Sequence, residues 1–127
     1  MLERSSGTVR VYYPRFDKNQ LIQRLREELK ALEKEIPLLL VVLFGSYAKG
    51  NYTVASDVDL LVVYEGENRE DAFGIVKKTI SVPLLEPHVY SEGEYKELKE
   101  SIHKMVKDGI VLFVKKRVGH LGNSSVA

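Results

Sequence analysis

Asp57 and Asp59 stand two residues apart at the head of a short apolar run, Leu60 to Val63. In an extended chain such residues project to one side, with roughly 6 to 7 Å between their β-carbons. Two carboxylates held that way repel each other, and a cation between them removes the conflict. Paired Mg²⁺ ions, about 3.5 to 4 Å apart in two-metal sites, suit that separation. Upstream, Gly45-Ser46 closes a longer apolar run, Leu38 to Phe44. Glycine leaves room for an approaching phosphate, Ser46 adds a hydroxyl, and the amides opening a short helix favour anions. Phosphate donors at the end of one strand and metal ligands at the start of the next are what a nucleoside triphosphate with its metals requires. A polar loop in which Ser56 and Asp57 merely cap backbone groups would also account for a lone Asp-x-Asp. A Walker A loop would not, because Asn51 stands where its lysine should be, despite the spacing of Gly45 and Gly50.

The elements that must position these residues follow from periodicity. Val9 to Tyr13 has the composition of a short edge strand. Asp17 and Gln20 form a capping box for a helix whose Leu21, Ile22, Leu25, Leu29, Leu32 and Ile36 recur at three- and four-residue spacing, ending before Pro37. Arg24, Glu28, Lys30 and Lys34 mark its wet side. Leu38 to Phe44 and Leu60 to Val63 are continuously apolar, as expected of strands covered on both faces. Between them lies room for a short helix around Tyr47 to Lys49. The chemistry requires the two strands to be antiparallel neighbours, since only then does the end of one lie beside the start of the next. A helix from about Glu70 to Ile80 with Phe73, Val76 and Ile80 inward precedes a third strand, Leu84 to Tyr90. Ser91 and Glu94 cap a further helix carrying Tyr95, Leu98, Ile102, Met105 and Val106, stopped by Gly109, and Ile110 to Val114 forms the last strand. The expected fold class is α/β (α+β), a small mixed sheet with helices packed on it. Residues 1–114 form one domain with 1–8 frayed, and 115–127 form a mobile basic tail.

GSYAKG followed by SDVDLLVVY resembles the signature of the minimal nucleotidyltransferases of the DNA polymerase beta superfamily. The similarity extends through LLEPHVYSEGEYKEL and MVKDGIVLF to nearly Val114. The resemblance implies a polymerase-beta-like nucleotidyltransferase fold in which Asp57 and Asp59 bind metal and a third acid, at the position of Glu86, completes the site. It also implies that Gly45, Ser46 and Lys49 hold the β and γ phosphates. The family often carries Asp in place of Glu86 and Arg in place of Lys49; lysine neutralises phosphate as a point charge without the bidentate fork. A carboxylate between Leu85 and Pro87 in an apolar strand needs a partner, which a metal or an attacking hydroxyl supplies. A strand-end surface acid is the alternative. His88 shares the face of Glu86 and fits either a contact with acceptor or nucleotide or a partly buried polar role. His103 and His120 lack metal-ligand spacing, and Tyr47, Tyr52 and Tyr64 are expected to pack against the sheet rather than stack on a base.

With 127 residues, 44% hydrophobic, and a formal charge of +1, the chain suits one compact domain with a real core. Zero cysteines exclude a disulfide framework and thiolate chemistry. Ile36 to Tyr47 is too short to span a bilayer, and Glu3 and Arg4 interrupt any apolar leader, so no membrane association and a cytoplasmic location are expected. Residues 101–127 carry five bases and one acid. Lys115, Lys116 and Arg117 are read as a solvated terminus rather than a nucleic-acid contact. The expected function is metal-dependent transfer of a nucleoside monophosphate, AMP from ATP, to a hydroxyl acceptor with release of pyrophosphate, using two Mg²⁺ or Mn²⁺ ions. The resemblance favours a small helical HEPN-type partner, a tyrosine of which accepts AMP, in a toxin–antitoxin pair; a homo-oligomer is possible. The alternatives are a protein-binding antitoxin, or a nucleotide-sensing module, with weak or no catalysis. A binding module gains nothing from clustering three like charges.

Overall fold

The computed structural model describes residues 17–53 and 56–115. The expected strand at Val9 to Tyr13 and the chain beyond Lys115 lie outside the described residues. Asp17 starts α1 (Lys18–Glu35) through a complete capping box: its carboxylate accepts from the Gln20 amide at 2.8 Å, and the Gln20 side chain accepts from the Asp17 amide at 3.1 Å. β1 (Leu38–Phe44), α2 (Ser46–Lys49) and β2 (Val58–Tyr64) follow, then α3 (Ala72–Thr79), β3 (Leu85–Ser91), α4 (Glu92–Glu97), α5 (Lys99–Met105) and β4 (Ile110–Val114). The four strands form one mixed sheet in the order β3-β2-β1-β4, with β1 antiparallel to both neighbours and β2 parallel to β3. Among the described residues no helix is long and apolar enough to cross a membrane.

Both faces of the sheet are covered, which is why β1 and β2 read as unbroken apolar runs. Leu21, Leu25, Leu29 and Leu32 of α1 and Val76 of α3 bury Val58, Leu60, Val62 and Tyr64 on one face. Ile102 of α5 covers Leu61 and Val63 on the other, with Tyr95, Met105 and Val106 packed around it. Strand alternation therefore assigns Asp59 to the face of Leu61 and Val63.

Three local expectations are corrected. Phe73 is 51% exposed, while Ala72, Val76 and Ile80 are buried. The inward row of α3 runs at four-residue steps from Ala72, and Phe73 lies a quarter-turn away from it. The chain after Ser91 makes two short helices rather than one. Leu98 leaves helical geometry at φ −105° and ψ 18°, yet its amide bonds Glu94 and its carbonyl accepts from Ile102. The break turns Leu98 outward, at 43% exposure, and lets Ile102 take the buried place. Finally, α5 ends at Met105, and the left-handed residue in the turn is Asp108, at φ 68°, not Gly109. Gly109 is required for a different reason: a β-carbon there would lie 2.6 Å from Val42 Cγ1.

Two wet-face charges of α1 hold a loop. Glu28 accepts from Arg24 Nε at 2.9 Å, from the Ser81 amide at 2.9 Å and from the Ser81 hydroxyl at 2.7 Å, tying α1 to the connection between α3 and β3. Burial alone would push the Glu28 carboxyl up; the Ser81 hydroxyl, Arg24 and the Ser81 amide together outweigh it and hold it below its ordinary value. A depressed folded value stabilises the protein fully above the ordinary carboxylate range, and that contribution fades as pH falls through the folded value. Glu28→Gln is therefore expected to lose about 1 kcal/mol in urea denaturation at pH 7, after discounting for the partly solvated pair. The difference between parent and variant should shrink as pH is lowered below the ordinary carboxylate range.

Candidate active site

The apolar pairing of β1 with β2 places Phe44 opposite Asp59, so the chain leaving β1 passes beside the start of β2. Parallel pairing of β2 with β3 puts Glu86 opposite Asp59 and His88 opposite Leu61. Gly45, Asp59 and Glu86 thus meet at one end of the sheet. Alternation along β3 sends Glu86 and His88 to the same face as Asp59, the one covered by α4 and α5.

Gly45 is fixed by both its backbone and its neighbour. It adopts φ 81°, and a β-carbon built on it would overlap Asp59 Oδ2. The Asp59 carboxylate rests directly on the glycine. Ser46 then opens α2, a single turn closed by Gly50 at φ 85°. Its first amides have no acceptor within the helix, but one turn is too short to add an appreciable dipole. Lys49 is exposed at its end. The far side of the turn is anchored by Lys18, whose Nζ donates to the Ala48 carbonyl and whose amide donates to Tyr52 Oη, both at 3.1 Å. Tyr47 is buried and stacks on Tyr52, with centroids 4.2 Å apart. Tyr64 is buried, and its hydroxyl accepts from the Arg69 amide. All three rings support the loop or the core, as the sequence predicts.

Asp57 is exposed just before β2, Asp59 is half-buried, and Glu86 is exposed. Burial pushes the Asp59 carboxyl up; His88 opposes that, while the charges of Asp57 and Glu86 add to it, and the net direction is upward. The three acids therefore share one electrostatic field. Their oxygens are not gathered into a ligand cluster: among the described residues no group of three His, Asp or Glu side chains is placed to hold a metal ion. The donor chemistry nevertheless fits a hard divalent cation, since every candidate is a carboxylate and added positive charge would relieve the strain at Asp59.

Sequence reasoning missed Lys18, which gives no signal, because only the fold brings the start of α1 to α2. It places His88 on the face of Glu86 but does not pair it with Asp59. The His88 Nε2 lies 3.6 Å from Asp59 Oδ1, and its ring meets Phe44 edge-on with centroids 5.0 Å apart.

Both Gly45→Ala and Gly50→Ala place a β-carbon at positive φ, which costs on the order of 1 kcal/mol. Only the first also crowds a neighbour, since nothing lies within 4 Å of a β-carbon at Gly50. Urea denaturation should show Gly45→Ala to be less stable than Gly50→Ala by at least about 1 kcal/mol. Equal losses would mean that Asp59 moves aside freely.

Residues 22–117 match the family described as the nucleotidyltransferase domain. A candidate protein adenylyltransferase of Methanocaldococcus jannaschii is 28% identical over 100 residues, 79% of this chain and 80% of that protein. A crystal structure of a candidate nucleotidyltransferase from Sulfolobus solfataricus superposes with a TM-score of 0.58 and 26% identity, covering 78% of this chain and 85% of that one. A toxin–antitoxin structure solved with AMP-PNP has a TM-score of 0.51 at 21% identity, covering 76% and 78% of the two chains, and shares the fold.

Proposed function

Because the chain belongs to the nucleotidyltransferase domain family and is a nucleotidyltransferase, we propose that it transfers AMP from ATP to a hydroxyl group on a partner protein. The observation that carries this is the convergence of Gly45, Asp59 and Glu86 at one end of the sheet, with Asp57 in the same field. The name of the M. jannaschii relative supports a protein acceptor and AMP as the transferred group. The resemblance to minimal nucleotidyltransferases, and the fold shared with a toxin–antitoxin protein, support a tyrosine hydroxyl of a small helical HEPN-type toxin as that acceptor.

Asp57 and Asp59 would hold Mg²⁺ or Mn²⁺, with Glu86 serving the ion nearer the acceptor. Divalent ions at such a site neutralise charge on the transferred and leaving phosphoryl oxygens. Gly45 clears space for the β and γ phosphates, Ser46 donates its hydroxyl to them, and Lys49 adds a positive charge from the end of α2. Glu86 accepts the proton of the acceptor hydroxyl as its oxygen bonds to the α-phosphorus. The bond from that phosphorus to the β-phosphate oxygen breaks, and pyrophosphate leaves. The burial of Asp59 beside two like charges makes its carboxylate costly without cations, which couples nucleotide binding to metal.

Two variants test these roles. Asp57→Asn combined with Asp59→Asn should reduce metal-dependent ATP binding by at least about tenfold in calorimetry, because it removes both anionic ligands from a hard-cation site. ATP and metal binding as tight as the parent's would refute the assignment. Glu86→Gln keeps the shape and loses the charge. It should still bind ATP, while label transfer from α-³²P-ATP to the partner falls at least about tenfold. Undiminished transfer would move the third acid elsewhere, and no transfer by the parent with partner and metals supplied would favour a binding-only antitoxin.

A further inference from the structure

We infer that His88 is a positioning residue for Asp59, its Nε2–H directed at Oδ1 while Gly45 confines Oδ2, so that the carboxylate offers one orientation to the nucleotide site. The inference rests on the proposed role of Asp59. His88 Nε2 is buried and has no hydrogen-bond partner. Asp59 Oδ1 lies 3.6 Å away, beyond hydrogen-bond length but close enough for a small movement to complete the bond. A buried polar atom without a partner is costly, and a carboxylate oxygen is the strongest kind of acceptor for a ring N–H. The opposite tautomer would aim a nitrogen lone pair at an anionic oxygen, which is repulsive. The ring has little freedom to turn away. Phe44 meets it edge-on, and β3 is registered against β2 on either side of it.

The other oxygen is confined independently, since Oδ2 occupies the space a β-carbon on residue 45 would need. Asp59 is therefore bounded on both sides, by a missing side chain and by an imidazole. Asp57, exposed before β2, has no such support among the hydrogen bonds and ion pairs of the described residues. Carboxylates that bind metal are commonly oriented by a second group in this way, and loss of that group weakens metal affinity or activity by about 10- to 100-fold.

The test uses the full chain and has two readouts. Long-range ¹H–¹⁵N spectra of the parent should show a proton on His88 Nε2. In calorimetry with Mn²⁺ and ATP, His88→Phe keeps the ring and its contact with Phe44 but should bind at least about tenfold more weakly. His88→Gln, which restores an N–H donor, should recover most of the loss, a rescue that a purely packing role would not produce. An unprotonated Nε2 would overturn the inference even if the variants failed to fold. So would parent-like binding by His88→Phe when Asp57→Asn with Asp59→Asn abolishes binding. Unchanged binding by the double aspartate variant would instead sink the site assignment, leaving the Nε2 proton to decide whether His88 faces Asp59 as a donor.

Discussion

A strand covered on both faces can carry a charged residue only where its end reaches solvent, and this constraint sets the geometry of the whole site. β1 and β2 pair through unbroken apolar segments, so their register cannot slip without pulling carboxylates into the core. With Phe44 opposite Asp59, the first charge of β2 falls at the rim, half out of the protein, and the turn after β1 lands beside it. Glu86 reaches the same rim because β3 runs parallel to β2 in matched register. Asp59 and Glu86 lie on neighbouring strands that hold their backbones more firmly than a loop would, and Asp57 stands just before β2.

Within that frame the acids are not equivalent. Asp59 is the half-buried one, seated on Gly45 and facing His88, and its environment works against its charge. Asp57 and Glu86 remain exposed and adaptable. One acid held stiffly and two that can swing is an arrangement able to draw together around cations, and it accounts for a shared field without a ready-made ligand cluster.

Much of this was legible in the sequence because it follows from short-range rules. Unbroken apolar runs marked β1 and β2, capping boxes at Asp17 and Ser91 marked two helix starts, and Gly45-Ser46 with Asp57 and Asp59 marked the two strand ends that the sheet brings side by side. What stayed hidden depended on phase or on contacts distant in the chain. Phe73 looked like an inward residue at helical spacing until the start of the helix at Ala72 fixed the phase. Leu98 fits a continuous amphipathic row, yet the helix breaks there and the residue faces outward. Gly109 read as a helix stop, whereas its necessity comes from Val42, far away in sequence. Glu28 and Arg24 read as solvated charges, yet a loop more than fifty residues on hangs from them. No local pattern announces any of these.

The two ends of the described chain are attached to opposite ends of β1. Lys18 is bonded to Ala48 and Tyr52, beside the turn that carries Ser46, whereas the Lys115 amide donates to the Leu39 carbonyl at the strand's other end. Leu39 and Gly45 are separated by about 20 Å of extended chain. A pull on the chain at the start of α1 therefore acts on the turn that follows Ser46, whereas a pull at the end of β4 acts at the far end of β1, a strand's length away.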